Sequence, residues 1–478
     1  MSHVAPAFTD SSMIPVTPRV RPPLDLNFVP AVLWNRGYQD LVAKDPDARR
    51  FAMVLVRTDG TVSRHETRVL SAHHRASALT LRYAERLLKF LLWQKGGYRV
   101  LIAGAGEVAA ELARGYRPTG PRAFDHESMG SRIYGQPFSI AATAFDQLPE
   151  SRDASLPLGR HLDGCRIGFD LGGSDRKVAA LIEGKVVFAE EVPWNPYFEP
   201  DPSYHLEGVQ QSLARAAAHL PRVDAIGGSA AGVYVNNEVR VASLFRGVSP
   251  ELFDRHVRRM FFTLQQRWGG VPFEVANDGE VTALAGSMSM CANAVLGLSM
   301  GTSQAAGYVT PDGSITPWLN ELAFAPIDYR TGAPRDEWSG DLGCGVQYLS
   351  QQAVGRLAPA AGFDFPENVP LPERLIAVQQ AMAKGNARAL TIYETIGTYL
   401  GYAIAHYADF YELKHILVLG RVTSGPGGDI ILTWARNVLT TEFPAHAGIS
   451  LRMPGEEEKR VGQAIAAASL PAIGRIVR

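Results

Sequence analysis

Apolar runs broken by glycine turns set the rhythm of the chain. Residues 167–171 form an apolar stretch with Asp170 near its end, the chain turns at Gly172-Gly173-Ser174, and 178–182 resume the apolar pattern. That grammar predicts a β-hairpin with a carboxylate beside a tight turn. A second stretch of the same kind, 294–303 into 305–309, turns at Gly301-Thr302-Ser303. Residues 225–233 read as a strand of small residues, and 275–286 place Asn277-Asp278 where a strand enters a helix. Residues 416–425 are a strand running into a glycine turn, with a helix predicted over 429–439. Helices are also expected over 204–220, 255–267, 352–357 and 390–408, and 186–189 continue the first hairpin as strand.

Upstream, 51–56 and 61–63 flank Thr58-Asp59-Gly60 and predict a short hairpin. Over 77–94, Leu79, Tyr83, Leu87, Leu88, Leu91 and Leu92 recur at helical spacing, and Gly96-Gly97 mark the end of that helix. Residues 98–112 read as strand, glycine turn and helix, with Gly104, Gly106 and Ala109 close to a dinucleotide fingerprint. Glu107 at the turn would repel a pyrophosphate, and no second strand follows over 115–121, so the motif reads as a packing turn. The expected organisation is an extended proline-rich arm over 1–30, mobile or draped over another surface, then a small α/β domain of unassigned role over 31–150. A polar linker over 149–163 leads to a larger unit, 164–478.

Composition narrows the choice. A chain of 478 residues exceeds one ordinary core. Its 47 basic and 48 acidic residues nearly cancel, which argues against nucleic acid as the main partner. Cys165, Cys291 and Cys344 lie far apart without CxxC spacing, a pattern of reducing compartments rather than of disulfide frameworks or zinc knuckles. No apolar run approaches the ~18 residues that span a bilayer, and the first 30 residues lack a signal-peptide core. A cytoplasmic protein without a membrane partner is the expectation.

Glycines such as Gly172 and Gly173 let backbone N–H groups approach a phosphate, Ser174 adds a hydroxyl donor, and Asp170 could hold a hydrated Mg²⁺ against phosphate oxygens. The plainer alternative is a hairpin with Asp170 as a solvated strand end; for Asn277-Asp278 it is a helix N-cap. In order, DLGGS (170–174), GGSAAGV (227–233), ANDGEVTAL (276–284), LSMGTS (298–303) and VLGRVTSG (418–425) resemble the ROK family of sugar kinases, within the actin/hexokinase/Hsp70-like ATPase superfamily. The resemblance spans 164–478. It implies an α/β, two-lobed actin-like ATPase (ribonuclease H-like) fold, here preceded by the small N-terminal domain, with ATP and Mg²⁺ between the lobes. By that likeness Asp170, also the metal ligand, lines the first phosphate loop with Gly172, Gly173 and Ser174, and Gly301, Thr302 and Ser303 line the second. Gly420 and Gly425 would flank the adenosine, Asp278 would be the general base, and Asn277 would hold a neighbouring hydroxyl. Glu321 would grip the sugar, with Trp318 beside it as a stacking ring.

Three departures touch the acceptor pocket. Where the family has Glu-x-Gly-His, the chain has Glu321-Leu322-Ala323-Phe324, so an aromatic ring replaces the imidazole. The Cys-rich zinc loop is reduced to Cys344, and one thiol cannot build a tetrahedral site, so no zinc is expected. A Pro-Asn pair is replaced by Ser243-Leu244. The expected function is ATP- and Mg²⁺-dependent phosphoryl transfer to a hydroxyl of a sugar or cyclitol, with an unusual acceptor. The alternative is a non-catalytic sensor or scaffold that binds a sugar or nucleotide. A sugar-responsive repressor fits less well, because residues 1–160 read as neither a helix–turn–helix nor a basic stripe. The likeness also implies a homodimer.

Overall fold

The computed structural model describes residues 14–153 and 158–473. After helix α1 (Ala31–Lys44), strands β1 (Arg49–Val56) and β2 (Val62–Val69) pair antiparallel across the Thr58-Asp59-Gly60 turn. Helix α2 (Ala78–Lys95) leads to β3 (Arg99–Ala103), α3 (Gly106–Gly115), α4 (Ala123–Glu127) and β4 (Ser139–Ala142), giving a sheet of order β2-β1-β3-β4. The glycine turn before α3 is a packing turn: a Cβ on Gly104 (φ +95°) would overlap the Arg50 carbonyl, and Glu107 pairs with Arg49 at 2.7 Å.

Helix α2 buries the leucines its periodicity predicts, but its other side is buried too, including Arg86, Lys89 and Gln94. That second face meets the rest of the chain. Lys89 Nζ lies 2.9 Å from Asp125 and 3.3 Å from Asp341. Arg86 reaches Glu85 at 2.6 Å and Asp341 at 3.1 Å. Arg122 reaches Glu85 at 2.6 Å and also pairs with Asp341. Three cations thus face three carboxylates out of water. Against the penalty of burial, Arg86, Lys89 and Arg122 hold the Asp341 carboxyl well below its usual range, and Asp125 with Asp341 keeps the buried Lys89 protonated.

The next segment forms a meander of β5 (Cys165–Leu171), β6 (Asp175–Ile182) and β7 (Lys185–Pro193), then α5 (Pro202–Ala217) and β8 (Ala225–Ala230). A small hairpin of β9 (Val233–Val235) and β10 (Glu238–Val241) follows. The helix expected over 255–267 is broken. A short α6 (Pro250–Leu252) runs into a π turn, Phe253–Val257, and Arg259 leaves helical geometry (φ −111°, ψ 22°) before α7 (Met260–Arg267). Strand β11 (Phe273–Asn277) completes a sheet of order β11-β8-β5-β6-β7, with β5, β8 and β11 parallel. Helix α8 (Asp278–Ser289) leaves the end of β11.

The last segment contains β12 (Val295–Met300), β13 (Gln304–Val309), α9 (Gln351–Leu357), α10 (Leu371–Ala383), α11 (Ala387–Ala408), β14 (His415–Leu419), α12 (Pro426–Glu442), β15 (Ser450–Arg452) and α13 (Glu456–Ala468). Its sheet has the order β13-β12-β14-β15. Helices α8 and α13 join the five-stranded sheet to the last sheet: α8 packs on β12 and β13, and α13 packs on α8, β5, β6 and β8. The approach is backbone to backbone. A Cβ on Gly168 or Gly227 would overlap the Ala464 or Ala467 carbonyl of α13, and Gly307 touches Gly279 in the same way.

Residues 14–30 drape over α11. Asp25 accepts from Tyr399 Oη at 2.6 Å and pairs with Arg330 at 2.5 Å, and Phe28 packs 4.8 Å from the Tyr399 ring. Among the described residues no helix is long and apolar enough to cross a membrane.

Removing one partner from a buried ion cluster strands the others. Lys89→Met should lower the unfolding free energy by about 3–5 kcal/mol, read as an earlier denaturant midpoint with an unchanged slope.

Candidate functional site at the sheet ends

The C-terminal ends of the parallel strands carry the first group of residues. In register, Asp170 of β5 lies beside Ser229 of β8, and Asn277 of β11 lies beside Ala230. Ser229 Oγ donates to Asp170 at 2.6 Å. Burial, reinforced by the charges of Asp278 and Asp175, pushes the Asp170 carboxyl up to about 6 despite Ser229 and Lys177. Two residues on, the Gly172 N–H donates to the Asp175 carbonyl at 3.0 Å, which closes the turn. Trp194 Nε1 clamps the Gly172 carbonyl at 2.7 Å. Tyr197 lies against Gly173, where no Cβ would fit. Ser174 Oγ donates to Asp175 at 2.8 Å. The N–H groups of Gly173 and Ser174 bond to no described residue and remain available to an anion.

The second glycine turn is built alike. The Gly301 N–H donates to the Ser303 carbonyl at 3.0 Å, the Gly301 carbonyl accepts from Gln351 at 2.9 Å, and the N–H groups of Thr302 and Ser303 bond to no described residue. Strand β14 lies parallel to β12 with Leu419 beside Ser299, so Gly420 (φ +104°) abuts Met300 at the edge of this turn. Gly425 caps α12 with open space beside its Cα.

Asp278 opens helix α8 directly after β11 and is half-buried. Its helix begins against Ala306 and Gly307, a few residues beyond Ser303, and its charge acts on Asp170, Glu321 and Tyr234. Burial raises its carboxyl, opposed in part by the Gly279 N–H at 2.9 Å. Asn277 is the N-cap of α8. Its Oδ1 accepts from Gly279 at 2.7 Å, and its Nδ2 donates to the Gly232 carbonyl at 2.6 Å. Most of its bonding capacity is spent on backbone, while its side also lines a cavity of about 400 Å³.

Glu280, Tyr234 and Trp318 line the same cavity. Glu280, which the sequence reading passed over, accepts from Asn320 at 2.7 Å, and Tyr411 donates to the other side of that amide at 2.8 Å. Burial pushes Glu280 up to about 8 and, with the Asp278 charge added, Glu321 up to about 7. The loop holding Asn320 and Glu321 hangs from the end of α2, whose free Gln94 and Trp93 carbonyls accept their N–H groups at 3.0 and 2.9 Å.

Trp318 is not an open platform. Its ring lies parallel to Tyr308, and Lys95 Nζ sits 3.0 Å from its centroid, so a sugar could stack on that face only if Lys95 moved. Phe324 does not face the acceptor side as a stacking ring; it packs on Trp93 at 4.3 Å and on Phe124 at 5.3 Å. Cys344 is buried beside Ala323 and Val346. Among the described residues no three His, Cys, Asp or Glu side chains are grouped to hold a metal by themselves.

No family profile and no curated protein sequence matches the chain. Solved structures do. A ROK hexokinase from Thermus thermophilus superposes with a TM-score of 0.50 at 20% identity, over 63% of this chain and 97% of that one. The chain has the ROK sugar-kinase fold. A ROK glucokinase from Streptomyces griseus, solved with glucose and AMPPNP, aligns over 64% of this chain and 99% of its own at 21% identity and a TM-score of 0.48. A ROK transcriptional regulator aligns over 65% and 79% at 21% identity, also at 0.48. The hexokinase is spanned almost whole, so over a third of this chain lies outside that superposition.

The buried acids give the site a pH signature. Glu280 keeps its proton in the folded protein between the ordinary 4.5 and about 8, whereas the unfolded chain loses it. Stability therefore falls as pH rises through that window. Glu280→Gln keeps an acceptor for Asn320 and should flatten part of this fall, measured as melting temperature against pH.

Proposed function

We propose that the chain is an ATP- and Mg²⁺-dependent kinase that phosphorylates a hydroxyl of a sugar or cyclitol. What supports this reading is Asp278, a half-buried carboxylate whose charge acts on Asp170 beside the first glycine turn and whose helix starts against the strand that follows the second, both turns having unspent N–H groups. The donor set fits a nucleotide phosphate tail. The N–H groups of Gly173, Ser174, Thr302 and Ser303 would receive phosphate oxygens, and Gly425 leaves open space for the adenosine, while Gly420 lets the chain pack on Met300 at the edge of that space. Mg²⁺ would supply charge neutralisation between the phosphates, with Asp170 as its protein ligand and water completing its shell. A cation there would also draw Asp170 from its raised value back to the charged form.

Asp278 then serves as base. Its free carboxylate oxygen accepts the proton of the acceptor hydroxyl while that oxygen bonds to the γ-phosphorus and the bond to the ADP oxygen breaks. Its raised pKa makes it a better base than a solvated aspartate, with activity rising as pH climbs through that value. Glu321 lies near Asp278 and would hold a second acceptor hydroxyl; Asn277, spent on the helix cap, acts mainly by fixing the start of α8.

The alternative, a binding protein without transfer, draws on the occupied face of Trp318 and the packing of Phe324 on Trp93. Acceptor-dependent ADP release separates the two. Asp278→Asn should cut that release by about 10²–10⁴-fold with little change in AMPPNP affinity. Unchanged turnover would remove Asp278 from the role of base.

A further inference from the structure

The cavity lined by Asn277, the residue before Asp278, takes part of its wall from outside residues 164–478. Besides Asn277 and Glu280 it is lined by Thr58 and Asp59, from the turn between β1 and β2, and by Tyr134. These residues come from the N-terminal sheet and its helices. They are firmly mounted. Arg57, almost fully buried, donates to Thr61 Oγ1 at 2.6 Å, Ser63 Oγ at 2.8 Å, the Lys95 carbonyl at 3.2 Å and Asp153 at 2.8 Å. Asp153 in turn accepts from Ser63 at 2.5 Å and from Trp318 Nε1 at 3.2 Å, and Lys95 approaches it at 3.5 Å. The indole of Trp318 is thereby held by its edge through Asp153 and by its face through Lys95.

We propose that the β1–β2 turn, together with the Trp318 ring its surroundings fix, selects the acceptor. The proposal rests on the kinase reading above. It gives residues 31–150 a role in the site, and the charge of the wall defines that role. On the wall, Arg57 is paired with Asp153 and its N–H groups are largely spent; Lys95, the second cation on Asp153, does not line the cavity. Asp59 accepts from Thr61 through Oδ1 only, is exposed, and makes no ion pair with a described residue. Glu274, on the same cavity, makes none either. A wall whose unspent charges are carboxylates favours hydroxyl or amino groups on the part of the acceptor away from the reacting oxygen and repels carboxylates and phosphates. An amino-bearing polyol gains most.

The test uses the full chain with AMPPNP or ATP and a fixed panel: glucose, N-acetylmannosamine, myo-inositol, glucosamine and glucuronate. Binding is read by saturation-transfer NMR and turnover by ADP release. Thr58→Trp puts bulk into the cavity from an exposed turn and should raise acceptor KM, or weaken binding, by about tenfold with AMPPNP affinity unchanged. Asp59→Asn, which keeps the bond to Thr61, should weaken glucosamine more than glucose. Acceptor constants untouched by Thr58→Trp would overturn the wall and leave the kinase standing. Binding sensitive to Thr58→Trp without any ADP release would keep the wall and end the kinase reading. Equal losses of glucosamine and glucose in Asp59→Asn would remove the charge selection, and no binding by any member would end both.

Discussion

The arrangement of the molecule hangs on Asp341 and the three cations around it. A carboxylate in that position would be prohibitive alone. Surrounded by Arg86, Lys89 and Arg122, with Glu85 and Asp125 balancing the remaining charge, it is stabilised by geometry that admits few alternatives. The cluster fixes α2 against the loop around Cys344. Once α2 is fixed, its last carbonyls take the N–H groups of Asn320 and Glu321, and Trp93 takes the ring of Phe324. The departures from the ROK pattern around 321–347 therefore belong together. The loop has no imidazole and a single thiol, Cys344, and another part of the same chain holds it by ion pairs and aromatic packing.

The same economy governs the site. Asp170 and Glu280 are withdrawn from water, Asp278 and Glu321 are half-buried, and for each desolvation raises the cost of the charged form. The fold tolerates this because α8 brings its positive end to Asp278, and because Ser229 and Asn320 hold two of the other acids.

Much of this was legible in the sequence, for definite reasons. The hairpins at 172–174 and 301–303 are short apolar runs around glycine and hydroxyl residues, a local signal, and both formed where expected. Helix α13 escaped notice because its packed residues include Ala464, Ala467 and Ala468, too small for a hydrophobic stripe; its partners are bare glycines. The helix over 255–267 was read too long, since periodicity does not register a change of backbone winding between Phe253 and Arg259. Ser229 and Glu280 gain their roles from strand register and from an amide forty residues away, and Thr58 shares a cavity with Asn277 only through the tertiary fold. Long-range juxtaposition leaves no trace in spacing.

Asp341 also sits 255 positions after Arg86, its partner. During synthesis the first sheet and its helices leave the ribosome long before that acid exists. For that interval Glu85 and Asp125 face three cations, one positive charge in excess on a surface destined for burial. The first part of the nascent polypeptide stays incompletely neutralised until the last third is made, so its docking is completed late in the birth of the molecule.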